Sequence, residues 1–127
     1  MALKPSYNDK LHLPGLSKTE ILILALEASQ KLEWNIEEVT PEGARFEVPF
    51  NMYSHGEEIT FTIEPGNDGE VAVRSQSSSV QFVDYGKNRK NIQKLRETME
   101  EIKTSLTPEE LTQKAKDFEE ECNRPLT

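Results

Sequence analysis

Cysteine is nearly missing from this sequence. Cys122 stands alone in 127 residues, which excludes an internal disulfide framework and fits a reducing compartment, so a cytoplasmic location is expected. Long apolar runs are missing as well. The longest, Ile21 to Leu26, has six residues, against the roughly 20 that a spanning helix needs. No apolar h-region follows Met1 to Pro5, so no secretory signal is expected. Basic excess is absent too. Fifteen Lys and Arg face 23 Asp and Glu, for a net charge of -8, which argues against nucleic acid as a partner because such binding releases counterions through cationic excess. The two histidines, His12 and His55, lie far apart, and calcium-loop spacing is absent. No metal or cofactor is expected. Phosphate-loop, dinucleotide-binding and nucleophile-elbow patterns are all lacking. With no nucleophile beside a base, the expectation is no catalytic residue and no enzyme.

What is there reads as one α+β domain over residues 1–127. Residues 1–16 form an irregular lead, in which Leu11 and Leu13 flank His12 like a short edge strand. Ser17-Lys18-Thr19-Glu20 is a capping box, followed by Ile21, Leu24, Ala25, Ala28 and Leu32 at helical spacing. The period then changes to two. Trp34 and Ile36 share one face of a first strand. Ala44, Phe46, Val48 and Phe50 mark a second, Ile59, Phe61 and Ile63 a third, and Val71 and Val73 a fourth. Pro41 to Gly43 and Pro65 to Gly69 supply turn signals. The sum is α-β-β-β-β-α-α, a four-stranded antiparallel meander whose apolar face is covered by the first two helices. The core comprises 17–105, with Leu24, Ala28, Trp34, Phe46, Val48, Phe61, Ile63, Val71, Val73, Ile92, Leu95 and Met99 inside. A third helix spans 108–122, capped by Thr107 with Pro108 at N1 and Glu110 at N3. Its side Leu111, Ala115, Phe118 and Cys122 makes Cys122 a small buried hydrophobe. Residues 123–127 are a tail. The Ser75 to Ser79 run reads as a solvated strand end, and the Glu-rich stretches 37–38, 57–58 and 119–121 as solvated faces.

The segment Asp84-Tyr85-Gly86-Lys87-Asn88-Arg89-Lys90-Asn91-Ile92 opens the second helix. Running the stripe Ile92, Leu95, Met99, Ile102, Leu106 backward lands on Asn88 and Tyr85, so both should face the core. A buried Asn must find partners, because an unpaired amide costs about 1–3 kcal/mol. Lys87, Arg89 and Lys90 occupy the first turn, where the helix dipole disfavours cations by about 0.3–1 kcal/mol each. With Lys94 and Arg96, five basic residues fall within ten positions. Two readings are open. The cations neutralise the domain's own acids, since residues 33–70 hold ten acids and one Arg. Or Lys87, Arg89, Lys90 and Lys94 contact an acidic protein or an anionic membrane surface, with Asp84, Tyr85, Gly86 and Asn88 as structural support.

That segment resembles an Asp-aromatic-Gly-Lys-Asn-basic-Lys-Asn-Ile motif of the soluble N-terminal domain of Bacteroidetes-type rhomboid-family intramembrane proteases. Glu27 to Ile36 is similar to that domain's helix-to-Trp-strand junction, and Leu106 to Leu111 to its exit toward the membrane region. The resemblance covers roughly residues 3–120. It implies a cytoplasmic accessory or regulatory domain, membrane-tethered in a longer parent chain. The rhomboid Ser and His motifs are absent from this sequence, so no catalytic residue is carried over. The alternative is a stand-alone bacterial binding module, and the two separate on whether the reading frame continues past Thr127 into apolar segments.

Overall fold

A computed structural model describes residues 6–49, 56–64, 69–77 and 86–123. Asp84, Tyr85, Phe50, His55, Ser78, Ser79, residues 65–68 of the expected second turn and residues 124–127 of the expected tail lie outside these. Five strands and three helices follow in the order β1 (Ser6–His12), α1 (Lys18–Lys31), β2 (Asn35–Thr40), β3 (Gly43–Val48), β4 (Glu57–Ile63), β5 (Glu70–Ser77), α2 (Lys87–Ser105) and α3 (Pro108–Asn123). The fold is α+β with a single antiparallel sheet of order β1-β5-β4-β3-β2.

The expected meander is present as β2 to β5, but the sheet has five strands rather than four. The irregular lead contains β1, which pairs with β5 from Ser6 opposite Gln76 to His12 opposite Glu70. Alternation in Ser6–His12 is weak because β1 is an edge strand and buries only Leu11 fully. The alternation of Leu11 and Leu13 marks only its end, and its partners on β5 lie 58 residues away at His12 and 70 at Ser6.

Alternation did place the core. Phe46, Ile59, Phe61, Val71 and Val73 are all essentially inaccessible on one sheet face, under α1 and α2. Val48 is only half-buried, near the open end of β3. Trp34 is buried against Phe46, with ring centroids 6.4 Å apart, but it precedes β2 rather than sharing a strand face with Ile36. Ile36 remains 39% exposed. The reason is the helix end before it. Leu32 is the C-cap, and the next two residues close the helix, Glu33 N–H donating to Gln30 O and Trp34 N–H to Ser29 O. This is the double bond pattern of a Schellman motif. It drives Glu33 to φ 62 and aims Trp34 down into the core.

Helix α1 is buried nearly all round, with Ile21, Leu22, Ile23, Leu24, Ala25, Ala28 and Ser29 inside. A helix apolar on every side belongs between layers. Here the sheet and α2 cover one side and α3 the other, since α3 packs chiefly on α1. The expected capping box starts α1, with Glu20 N–H donating to Ser17 Oγ (3.1 Å) and Ser17 N–H to Glu20 Oε1 (2.8 Å). A second box starts α3, between Thr107 and Glu110, each bond 3.1 Å. Along α3 burial fades. Leu111 and Ala115 are buried and Phe118 half-buried, but Cys122 is exposed, because α3 outruns the surface of α1. The stripe marks which side faces inward and not how far the neighbour extends.

Two measurements check this account. Left-handed backbone costs a non-glycine residue about 1–2 kcal/mol, so Glu33→Gly should raise stability by about 0.5–1 kcal/mol in urea unfolding. Amide exchange in the second half of α3 should be faster than in α1, because it rests on one neighbour instead of three.

Candidate functional site

Helix α2 begins where β4 starts and β5 ends, and its first turns are held by polar groups. Asn88 is fully buried, the position required by the stripe. Its Oδ1 accepts from Ser75 Oγ at 2.7 Å, and its Nδ2 donates to Ser77 Oγ at 3.2 Å. One turn on, buried Asn91 donates through Nδ2 to Glu57 Oε1 (2.9 Å) and to Ser75 Oγ (3.3 Å). Glu57, Ser75 and Ser77 each have at most 2% of their surface accessible. Neither the serines nor Glu57 lies on a solvated face as expected. Period two explains the difference. Ser75 and Ser77 continue the inward register of Val71 and Val73, and Glu57 precedes Ile59 and Phe61 on the same side. Among the described residues the cluster is a set of amides, hydroxyls and one carboxylate bonded to one another. It serves as a polar clamp between α2 and the sheet.

The cations of α2 stand outside this clamp. Gly86 is the N-cap at φ 76, with no side-chain cap and no acid in the first turn. Lys87 is half-buried, while Arg89, Lys90 and Lys94 are exposed. Among the described residues none of these four has an acid within 4 Å, whereas Lys31, Arg45, Arg96 and Lys114 each do. Arg96 donates to Asp9 Oδ2 on β1 at 2.7 Å. That bond, the Lys10 N–H on Oδ1, and the positive field of Arg96 and Arg89 hold the Asp9 carboxyl below its ordinary value of 3.8. So Arg89 acts at a distance on Asp9 without pairing to it.

On the opposite face of the sheet, which none of the described helices covers, β1, β4 and β5 form a concavity of about 530 Å3 lined by Asn8, Lys10, Thr60, Thr62, Ala72 and Arg74, among others. No motif in the sequence marks it. Its signal was the polar half of each alternating strand, which by itself is what any half-solvated sheet shows. Among the described residues no group of three or more His, Cys, Asp or Glu could hold a metal ion, and no helix is long and apolar enough to cross a membrane.

The model of the family described as protein of unknown function, DUF1499, matches residues 6–99. The chain belongs to the DUF1499 family. The DUF1499 match opens on the first residue of β1 and closes on Met99. It therefore includes the whole sheet, α1, the polar clamp and the basic turns of α2, and leaves α3 outside. The DUF1499 description names no activity and makes no link to rhomboid proteins. No curated protein matches the chain.

The clamp and the Asp9 pair can each be tested. Ser75→Ala strips Asn88 Oδ1 and Asn91 Nδ2 of a partner at once, so stability should fall by about 1–3 kcal/mol in chemical denaturation. Because the folded Asp9 carboxyl is depressed, its contribution is present above pH 3.8 and disappears as pH falls through the lower folded value. In Arg96→Ala the Asp9 carboxyl should titrate closer to 3.8 by NMR, and the acid-side difference in stability between the two proteins should vanish below that range.

Proposed function

We propose that this DUF1499 chain is a non-enzymatic recognition domain that docks an acidic protein segment through Lys87, Arg89, Lys90 and Lys94. What supports the reading is the state of these four side chains: cationic, three of them in the first turn against the helix dipole, and all four without an acid within 4 Å among the described residues, in a chain of net charge -8. Like charges at Lys90 and Lys94 repel at i, i+4. A fold that needed only internal neutrality would place acids in this turn, as α1 and α3 do with Glu20, Glu109 and Glu110. A protein segment is favoured over a bilayer because an extended anionic plane repels the rest of an acidic domain, while a short acidic strip meets only the cationic turns. The contact is local and weakens with salt over a Debye length of about 8 Å at physiological ionic strength. The resemblance of the 84–92 segment extends this to a regulatory, cytoplasmic accessory role beside a rhomboid-family membrane protein. Continuation of the native gene past Thr127 into apolar segments of about 20 residues supports that extension, and a stop there favours a stand-alone module.

The test is the quadruple variant Lys87→Ala, Arg89→Ala, Lys90→Ala, Lys94→Ala. It should match or exceed the parent's stability by about 1 kcal/mol, since dipole opposition and i, i+4 repulsion are relieved. Its binding to a poly-glutamate peptide should drop at least tenfold. Equal binding by both proteins, or a variant that unfolds because internal pairs were lost, overturns the reading. Parent binding to phosphatidylserine vesicles but not to the peptide moves the contact to a membrane.

A further inference from the structure

The sheet face that none of the described helices covers holds a second, independent cationic arrangement. Two register rows cross β1, β5 and β4. Lys10 lies opposite Ala72, which lies opposite Thr62. Asn8 lies opposite Arg74, which lies opposite Thr60. Directly opposed side chains sit about 4.5–5.5 Å apart and diagonal ones about 7–8 Å. The six residues therefore make a grid two rows deep and three strands wide. Ala72 is the short member, and the longer Lys10, Thr62 and Arg74 around it produce the concavity of about 530 Å3. That volume falls in the roughly 300–1,000 Å3 range of small-molecule sites.

The charge on this grid is at odds with the chain. Its side chains carry two cations, Lys10 and Arg74, and no anion. Asp9 points to the other face, where it holds Arg96. Acids rim this face one row outward, Glu58 opposite Gln76 at one end and Glu70 opposite His12 at the other, with Glu64 beside Glu70. Yet among the described residues neither Lys10 nor Arg74 has an acid within 4 Å, while Arg45, in the same row beyond Thr60, holds Glu38 at 3.6 Å. So two unpaired cations, three neutral hydrogen-bonding side chains and a methyl floor converge on one hollow of an acidic protein.

We propose that this face binds a small ligand through an oxyanion group, a phosphate ester or a carboxylate, seated over Ala72. The Arg74 guanidinium takes two of its oxygens in a bidentate fork, and the Lys10 ammonium supplies a point charge from the neighbouring strand. Asn8, Thr60 and Thr62 donate to the remaining oxygens, and the ligand's body lies along the floor. This site shares no residue with the α2 turns, so it stands or falls separately from them.

The experiment is an amide-resolved NMR titration of the full chain with inorganic phosphate and, separately, with succinate, at constant ionic strength against sodium chloride. Saturable shifts are expected in β1, β4 and β5 around residues 8–10, 60–62 and 72–74. The probe with the lower Kd names the group as phosphate or carboxylate. Arg74→Gln and Lys10→Gln, both on the exposed face, should each weaken binding about tenfold with unchanged melting temperature. Ala72→Leu should abolish it by filling the floor. If it fails to fold, the two Gln variants decide alone. Shifts that never saturate, that chloride reproduces, that appear only in α2, or that survive Arg74→Gln overturn the proposal.

Discussion

The burial of α1 on both sides is the constraint on which the structure depends. Its first ten residues include five consecutive buried positions, Ile21 to Ala25. Such a helix cannot lie on a surface, because either exposed flank would leave large aliphatic side chains in water at about 25 cal/mol per Å2. The sheet and α2 cover one flank, and α3 covers the other. That requirement explains why a modest amphipathic helix follows the core at all, and why α3 buries Leu111 and Ala115 where it meets α1.

The same constraint sets how the sheet is divided. One face carries phenylalanines and branched aliphatics beneath α1 and α2. At the end where α2 begins, this face turns polar, and Glu57, Ser75, Ser77, Asn88 and Asn91 bond to one another there. A half-satisfied cluster in that place would destabilise the fold, while a satisfied one fixes α2 in register against β4 and β5. None of the described helices lies over the opposite face. Its polar side chains are free of packing duty, and so is the basic edge of α2. Both cationic features of this acidic protein are found on surfaces that the core does not need.

Much of this architecture was legible in the sequence because it rests on local physics. Capping boxes at Ser17 and Thr107 satisfy amides within three residues. The 3-4-3-4 stripe of α2 and the alternation of Phe46, Phe61, Val71 and Val73 each follow from one element's own geometry. The inward aim of Asn88 came from that stripe as well. These features fix α+β character, the meander and most of the core before any tertiary contact is considered.

Tertiary structure decided what depends on a distant partner. Strand β1 exists because β5 offers it an edge. Glu57, Ser75 and Ser77 are buried because α2 lies over the ends of their strands, and Cys122 is exposed because α1 has ended beneath it. Trp34 leaves β2 for the core because the Schellman closure of α1 turns the chain there. The convergence of Lys10 from β1 with Arg74 and the threonines of β5 and β4 exists only in the assembled sheet. Composition and periodicity say which side of an element is apolar. They do not say how far its neighbour reaches, nor which polar sides from remote strands meet, because those are set by register and packing between segments that are far apart in the chain.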